Sequence, residues 1–195
     1  MRRVDLVVMG ASLGGFDATR TLLAALPGDL APPVVLAQHR MSGTTDLCQL
    51  LGARSSLPVL EVEDQTPLDE GCIYVAPADY HVIVEAGRLS LSTEARVTFA
   101  RPSIDVLFES AAYAYGASAV GVILTGSSED GAKGAEELYR RHGRVIVQDP
   151  QLSRSPVAPE ATLARVRASF VGSEVELGQW LGEHCRRKVA PSARW

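Results

Sequence analysis

One serine, one histidine and one aspartate in this chain stand in loops that give them the means for covalent chemistry. Ser12 lies in Gly10-Ala11-Ser12-Leu13-Gly14, a G-x-S-x-G pattern whose small flanking residues permit a sharp strand-to-helix turn that exposes the hydroxyl. His39 follows an apolar run and Gln38, and Asp130 closes the glycine-rich loop Thr125-Gly126-Ser127-Ser128-Glu129-Asp130 before Gly131. A serine hydroxyl is a poor nucleophile until an imidazole accepts its proton, and the imidazole needs a carboxylate to fix its tautomer and stabilise its charge. The three residues therefore point to acyl transfer, with Ser12 as nucleophile, His39 as base, Asp130 as orienting acid and loop N–H groups as the oxyanion hole.

Each residue has a competing use: His39 could be a structural histidine satisfied by loop backbone, though its strand-end position favours the catalytic one. The glycine turn could simply pack a helix on a sheet, or bind phosphate at a helix N-terminus. Against phosphate, Ser12 occupies the second glycine position of G-x-G-x-x-G, and Gln38-His39 stands where a ribose-binding acid belongs. Phe16 stands in place of the lysine of a P-loop. Asp130 could cap the helix that begins just beyond it, and Glu129 could take its catalytic place. Asp130 is preferred because Gly131 lets the backbone turn its side chain inward. His81, in a strand, His142, at a helix end, and His184, in the final helix, read as surface or packing residues.

Alternating apolar runs and helical patterns must position these groups. Val4 to Met9 predicts a strand and Phe16 to Leu26 a helix; Val34 to Ala37 predicts a second strand, and Thr44 to Leu51 a helix with Leu47, Leu50 and Leu51 on one face. Cys72 to Ala76, Tyr80 to Glu85 and Arg88 to Ser92 are short strand candidates with a turn at Glu85 to Arg88, which predicts a local antiparallel insertion. Pro102-Ser103-Ile104-Asp105 opens a helix that Gly116 stops. A strand from Ala119 to Leu124, a helix from Ala132 to His142 ended by Gly143, and a strand from Val145 to Val147 resume the parallel pattern. Ser173-x-x-Glu176 is a capping box for a last helix to about Lys188. The loop from Asp149 to Pro159 and the tail are the candidates for flexibility. The expected fold is α/β, a doubly wound three-layer sandwich with a mostly parallel sheet and a small antiparallel hairpin insertion. In such a sheet ligands bind beyond the carboxyl ends of the strands, where Ser12, His39 and Asp130 all fall.

Composition narrows the function further. A chain of 195 residues, 46% hydrophobic and 22% charged, fits one domain, expected over residues 1–190 with a tail at 191–195. Its formal net charge of −4 offers no basic face for nucleic acid. The run Arg186-Arg187-Lys188 reads as a helix C-terminus satisfying its dipole. Cys48, Cys72 and Cys185 are too widely spaced for a disulfide framework or a zinc site, and neither metal nor cofactor is expected. Val4 to Met9 is too short for a signal peptide or a membrane span, which makes the cytoplasm the expected compartment and excludes membrane insertion.

Taken together, Gly10 to Gly15, Gln38-His39, Tyr74-Val75-Ala76-Pro77-Ala78-Asp79-Tyr80-His81, Arg101-Pro102-Ser103-Ile104-Asp105-Val106-Leu107-Phe108, Leu124-Thr125-Gly126 with Asp130-Gly131, and Val147-Gln148-Asp149-Pro150 resemble the catalytic domain of the chemotaxis receptor methylesterases, the CheB family. The resemblance implies hydrolysis of γ-glutamyl methyl esters on chemoreceptors with release of methanol, in some members deamidation of glutamine, and a Ser12-His39-Asp130 triad. Leu13, Arg40 and Ser127-Ser128-Glu129 depart from the family's usual residues, and Arg40, Ser127 and Glu129 would alter the rim of the site. The family commonly carries an N-terminal receiver domain; with Met1 almost at the first strand, none is expected in this sequence. A binding-only member that recognises a receptor or partner helix is the alternative function.

Overall fold

The computed structural model describes residues 3–40 and 46–185. Strand β1 (Leu6–Ala11) is buried along its whole length and leads through a tight turn into α1 (Gly15–Ala25). Next come β2 (Val34–Gln38), α2 (Leu47–Gly52), and the short strands β3 (Val59–Glu61), β4 (Thr66–Pro67) and β5 (Ile73–Val75). The hairpin β6 (His81–Glu85) and β7 (Arg88–Ser92) precedes α3 (Ile104–Tyr115), β8 (Ala119–Ile123) and α4 (Ala132–Arg140). The chain continues through β9 (Arg144–Gln148), α5 (Val157–Leu163), β10 (Phe170–Gly172) and α6 (Glu174–Cys185).

Seven strands form one sheet in the order β10-β9-β8-β1-β2-β5-β3, and every neighbouring pair in it is parallel. A second, three-stranded antiparallel sheet, β4-β7-β6, is the expected insertion, with Glu85 paired to Arg88 across its turn. Alternation along β1 divides the interior between two faces, as period-2 side chains must. Val7, Met9 and Ala11 pack with Leu22, Leu23, Leu51, Leu177 and Leu181 of α1, α2 and α6. Leu6 and Val8 pack on the other side with Ile104, Leu107 and Phe108 of α3, Leu138 of α4 and Val82 and Val84 of the hairpin. The result is a doubly wound three-layer sandwich with the small sheet added to the α3 side.

Several sequence expectations need correction. The strand at Cys72 to Ala76 belongs to the parallel sheet, where β5 lies between β2 and β3, and not to the antiparallel insertion. Strands β3, β4 and β10 have no counterpart in the sequence reading; at two or three residues each they carry too little periodicity to register. Leu50 is 41% exposed, while Leu47 and Leu51 face the core; Thr44 and Thr45 lie outside the described residues. The α4 helix ends at Arg140, and His142 takes the left-handed conformation (φ 66°) expected of Gly143. Gly143 follows it, donating its N–H to Leu138 O at 2.9 Å, as in a Schellman ending. The loop from Asp149 to Pro159 contains a 3-10 turn at Pro150–Leu152 and the start of α5, and is tied to the site. The capping box is present: Ser173 N–H donates to Glu176 Oε2 at 2.8 Å and Glu176 N–H to Ser173 Oγ at 3.4 Å. Arg186 to Lys188 and the tail lie outside the described residues. No described helix is long and apolar enough to cross a membrane.

Candidate active site

The strand order reverses between β1, which leads on to β2 at one side, and β8, which leads to β9 at the other. This is the switch point at which an open parallel sheet leaves a crevice. Ser12 follows β1, His39 follows β2, and Asp130 ends the loop after β8. Main-chain bonds knit the three loops: Ser12 N–H donates to Thr125 O at 3.0 Å, His39 N–H to Ala11 O at 3.0 Å, and Gly15 N–H closes the serine turn on Ser12 O at 2.8 Å. The segment after Asp149, expected to be flexible, joins them. Ser155 N–H donates to Thr125 Oγ1 at 2.9 Å, and Gly126 N–H to Ser155 O at 3.1 Å.

The side chains of all three sequence-predicted residues meet in one hydrogen-bonded line. His39 Nδ1 lies 3.1 Å from Ser12 Oγ, and His39 Nε2 lies 2.7 Å from Asp130 Oδ2. A carboxylate only accepts, so Nε2 carries the proton and Nδ1 is left to accept from the serine. The ring is turned opposite to the serine-protease arrangement, in which Nε2 faces the serine and Nδ1 the aspartate.

Asp130 is buried and accepts four bonds. His39 Nε2–H and Ile104 N–H (2.8 Å) meet Oδ2, while Ser103 Oγ (2.8 Å) and Asp105 N–H (3.0 Å) meet Oδ1. Burial by itself pushes the Asp130 pKa up, but the bonds from His39, Ile104, Asp105 and Ser103 outweigh it and leave the carboxyl below its ordinary value. The capping role considered for Asp130 thus exists, but on α3 instead of the α4 that follows it. The α4 end is served by Asp105, whose Oδ1 accepts from Gly131 N–H at 2.9 Å and Gly134 N–H at 2.8 Å. Burial, with the nearby Asp130 charge adding to it against those two bonds, raises the Asp105 pKa. Gly131 has φ 104°, a conformation that L side chains rarely adopt, and a Cβ there would come within 2.6 Å of Ile104. Glu129 next door is exposed and takes no part in this network.

His81, read from sequence as a surface or packing residue, is 2% exposed and hydrogen-bonded on both ring nitrogens. Ser103 N–H donates to its Nδ1 at 3.1 Å, so the proton is on Nε2, 3.1 Å from Ala95 O. His81 therefore anchors the α3 N-terminus that feeds Asp130. The helix-start pattern at Pro102 to Asp105 is visible in the sequence, but nothing in it says that this helix end faces a loop 25 residues away. Of the loop amides, those of Ser12, Gly15 and Gly126 are engaged, whereas no acceptor among the described residues meets the N–H of Leu13 or Ser127.

The crevice opens on both sides of Ser12. One lobe, of about 370 Å³, includes His39, Arg40, Arg101 and Ser127 in its wall; the other, of about 440 Å³, includes Leu13, Gly14 and Arg154. Arg40 and Ser127 thus line the crevice, and Arg40 pairs with Glu61 at 2.8 Å. Cys48 and Cys185 are free thiols whose pKa values burial pushes up to about 11, which makes them poor nucleophiles.

Comparison with known proteins identifies the family. Residues 7–181 match the family model described as CheB methylesterase. A Leptospira interrogans protein named putative protein-glutamate methylesterase/protein-glutamine glutaminase is 35% identical over 171 residues, covering 86% of this chain and 88% of its own. A Caulobacter vibrioides protein-glutamate methylesterase/protein-glutamine glutaminase is 39% identical over 189 residues, 94% of this chain but 54% of the longer relative. The crystal structure of the Thermotoga maritima CheB methylesterase catalytic domain superposes with a TM-score of 0.87 at 29% identity, covering 93% of this chain and 99% of that one. With the family model spanning nearly the whole chain and relatives above 30% identity beside it, the protein belongs to the CheB methylesterase family.

Proposed function

We propose that the protein hydrolyses γ-glutamyl methyl esters on a methylated chemoreceptor or similar protein, with Ser12, His39 and Asp130 as its catalytic triad. The observation that carries this reading is the unbroken line from Ser12 Oγ through both nitrogens of His39 to a buried, fully hydrogen-bonded Asp130. As Ser12 Oγ attacks the ester carbonyl, its proton passes to His39 Nδ1, and the imidazolium is stabilised by the carboxylate at Nε2. The developing oxyanion is met by the free N–H groups of Leu13 and Ser127, which come from two different loops tied together through Ser12 and Thr125. Nδ1 then returns the proton to the leaving methoxide, and methanol departs. Water, deprotonated by the same nitrogen, cleaves the acyl-serine and releases the glutamate carboxylate and the free hydroxyl. An amide leaves as ammonia by the same steps, which accommodates glutamine deamidation. The catalytic domain of this reading lies within residues 1–190.

Purified protein should release methanol from a methylated receptor fragment and react at Ser12 with a fluorophosphonate probe, whereas Ser12→Ala should do neither. Full probe labelling of Ser12→Ala would remove the assignment. The departures at Leu13, Arg40 and Ser127 favour one rival, a module that recognises the receptor without cleaving it. That rival predicts association with the fragment and no methanol.

A further inference from the structure

The crevice around Ser12 has a charge opposite to that of the chain. With a formal net charge of −4 overall, the chain places Arg40, Arg96 and Arg101 in the wall of one lobe and Arg154 in the other. The one carboxylate in these walls, Asp17, is bound to Arg20 at 3.1 Å. Glu61 offsets Arg40 and Asp79 offsets Arg96, each at 2.8 Å. Arg101 instead donates to the carbonyls of Thr93 and Glu94 at 2.7 and 3.0 Å, which orient a guanidinium without neutralising it. Arg101 and Arg154 form no ion pair among the described residues, and the Nε–H groups of Arg40 and Arg101 are buried without an acceptor. Among the described residues, each of the two lobes that meet at Ser12 therefore holds a cation without a counter-ion.

A methyl ester is neutral, so this field does nothing for the reacting group itself; it acts on what flanks the ester. The rim adds a second feature. Between the bridged residues Val97 and Ala100, Thr98 (φ 48°) and Phe99 (φ 63°) both hold left-handed backbone, unusual for adjacent non-glycine residues and most of all for a β-branched one. The turn presents Phe99, 95% exposed, at the edge of the Arg101 lobe. Strain that keeps an aromatic ring in solvent beside a reactive serine suits a contact made by a partner.

We propose that the crevice selects glutamyl esters set in an acidic, amphipathic segment, whose carboxylates face Arg101 and Arg154 on the two sides of Ser12 and whose apolar side chain rests on Phe99. The proposal rests on the methylesterase reading for the identity of the ester, but its test does not need turnover. Two helical peptides of about 20 residues, each with one central γ-glutamyl methyl ester and with either glutamates or glutamines as its neighbours, are titrated against Ser12→Ala protein by fluorescence anisotropy. The glutamate peptide should bind about tenfold more tightly at about 50 mM salt, and the preference should shrink towards unity at about 500 mM as the charges are screened. Arg154→Gln, on the exposed side, should reduce the preference about threefold, and Arg101→Gln should reduce it further. Phe99→Ala should weaken both peptides about fivefold and leave their ratio unchanged. Equal affinities for the two peptides, or a preference that survives both arginine substitutions, would overturn the proposal; unchanged affinities in Phe99→Ala would remove the ring from it. Methanol release by the wild-type protein is read in parallel. Its absence alongside an intact preference counts against the esterase reading alone, and equal binding alongside release counts against the acidic selectivity alone.

Discussion

Asp105 and Asp130 cap each other's helices: Asp130, just before α4, accepts the first N–H groups of α3, and Asp105, in the first turn of α3, accepts those of α4. The exchange fixes the proposed orienting acid and the packing of two helices with the same pair of carboxylates. Their behaviour on substitution should nevertheless differ sharply.

At position 130 an amide cannot be accommodated. Whichever way the substituted side chain turns, its NH2 faces a main-chain N–H, from Ile104 on one side or Asp105 on the other. Asp130→Asn should cut methanol release by roughly four orders of magnitude if the serine-protease precedent transfers, and cost about 1–3 kcal/mol of stability through the unpaired donors. At position 105 both bonds use Oδ1, so the oxygen of an asparagine can take them over. Asp105→Asn should lie within about 1 kcal/mol of the parent. Turnover and urea unfolding of the two variants check both statements. A loss of under about tenfold in Asp130→Asn would transfer the orienting role elsewhere.

The two carboxyls also respond to pH with opposite sign. The Asp130 pKa is lowered in the fold, so the stability it contributes is present above the unfolded value and lost only as pH falls through the lower, folded one. The Asp105 pKa is raised, so its ionised form costs stability at neutral pH and the cost is relieved as pH falls through the folded value. The stability of Asp105→Asn relative to the parent should therefore be greatest near neutrality and decline on acidification. Urea unfolding across the mildly acidic range measures this, and a flat difference would contradict it.

Packing of α3 on α4 leaves no room at Gly134. A Cβ there would lie 2.6 Å from Phe108 Cβ and 2.8 Å from Asp105 O, both on α3. Gly134→Ala gains helix propensity but should destabilise by about 1–3 kcal/mol through overpacking. Because the displaced carbonyl belongs to Asp105, beside the Asp130 cap, turnover should fall along with the melting temperature. An unchanged melting temperature would show that the helices part without cost.

His81 is a positioning residue, acting on Asp130 through Ser103. His81→Phe leaves the Ser103 N–H without its acceptor, while His81→Gln offers an oxygen that reaches it. The phenylalanine variant should lose several-fold in kcat with KM little changed, and the glutamine variant should recover part of that loss. Equal losses in both would reduce His81 to a space-filling role.

The proposed triad is legible in the sequence because each member follows a parallel strand, and a parallel sheet gathers its carboxyl ends on one edge. Ser12, His39 and Asp130 can thus be grouped from placement alone. Their supports cannot be grouped in that way. Ser103, Asp105 and His81 reach Asp130 through a helix end and a hairpin inserted from the antiparallel sheet, and that docking depends on tertiary packing instead of local pattern. The segment after Asp149 misleads for a related reason. Its proline- and serine-rich composition suggests mobility, whereas the bonds of Ser155 to the Thr125 loop hold it in place.

Two of the four donors to Asp130 are the main-chain amides of Ile104 and Asp105. A side-chain donor disappears with a single nucleotide change, but a peptide N–H disappears only if proline is introduced. The aim of the Asp130 carboxylate is in that respect insulated from drift in the residues that aim it. The crevice wall has no such protection where Arg40, Phe99 and Arg154 contribute to it, because what they bring is their side chains. Descendants of this scaffold can therefore change the proteins they act upon while inheriting the orientation of their carboxylate intact.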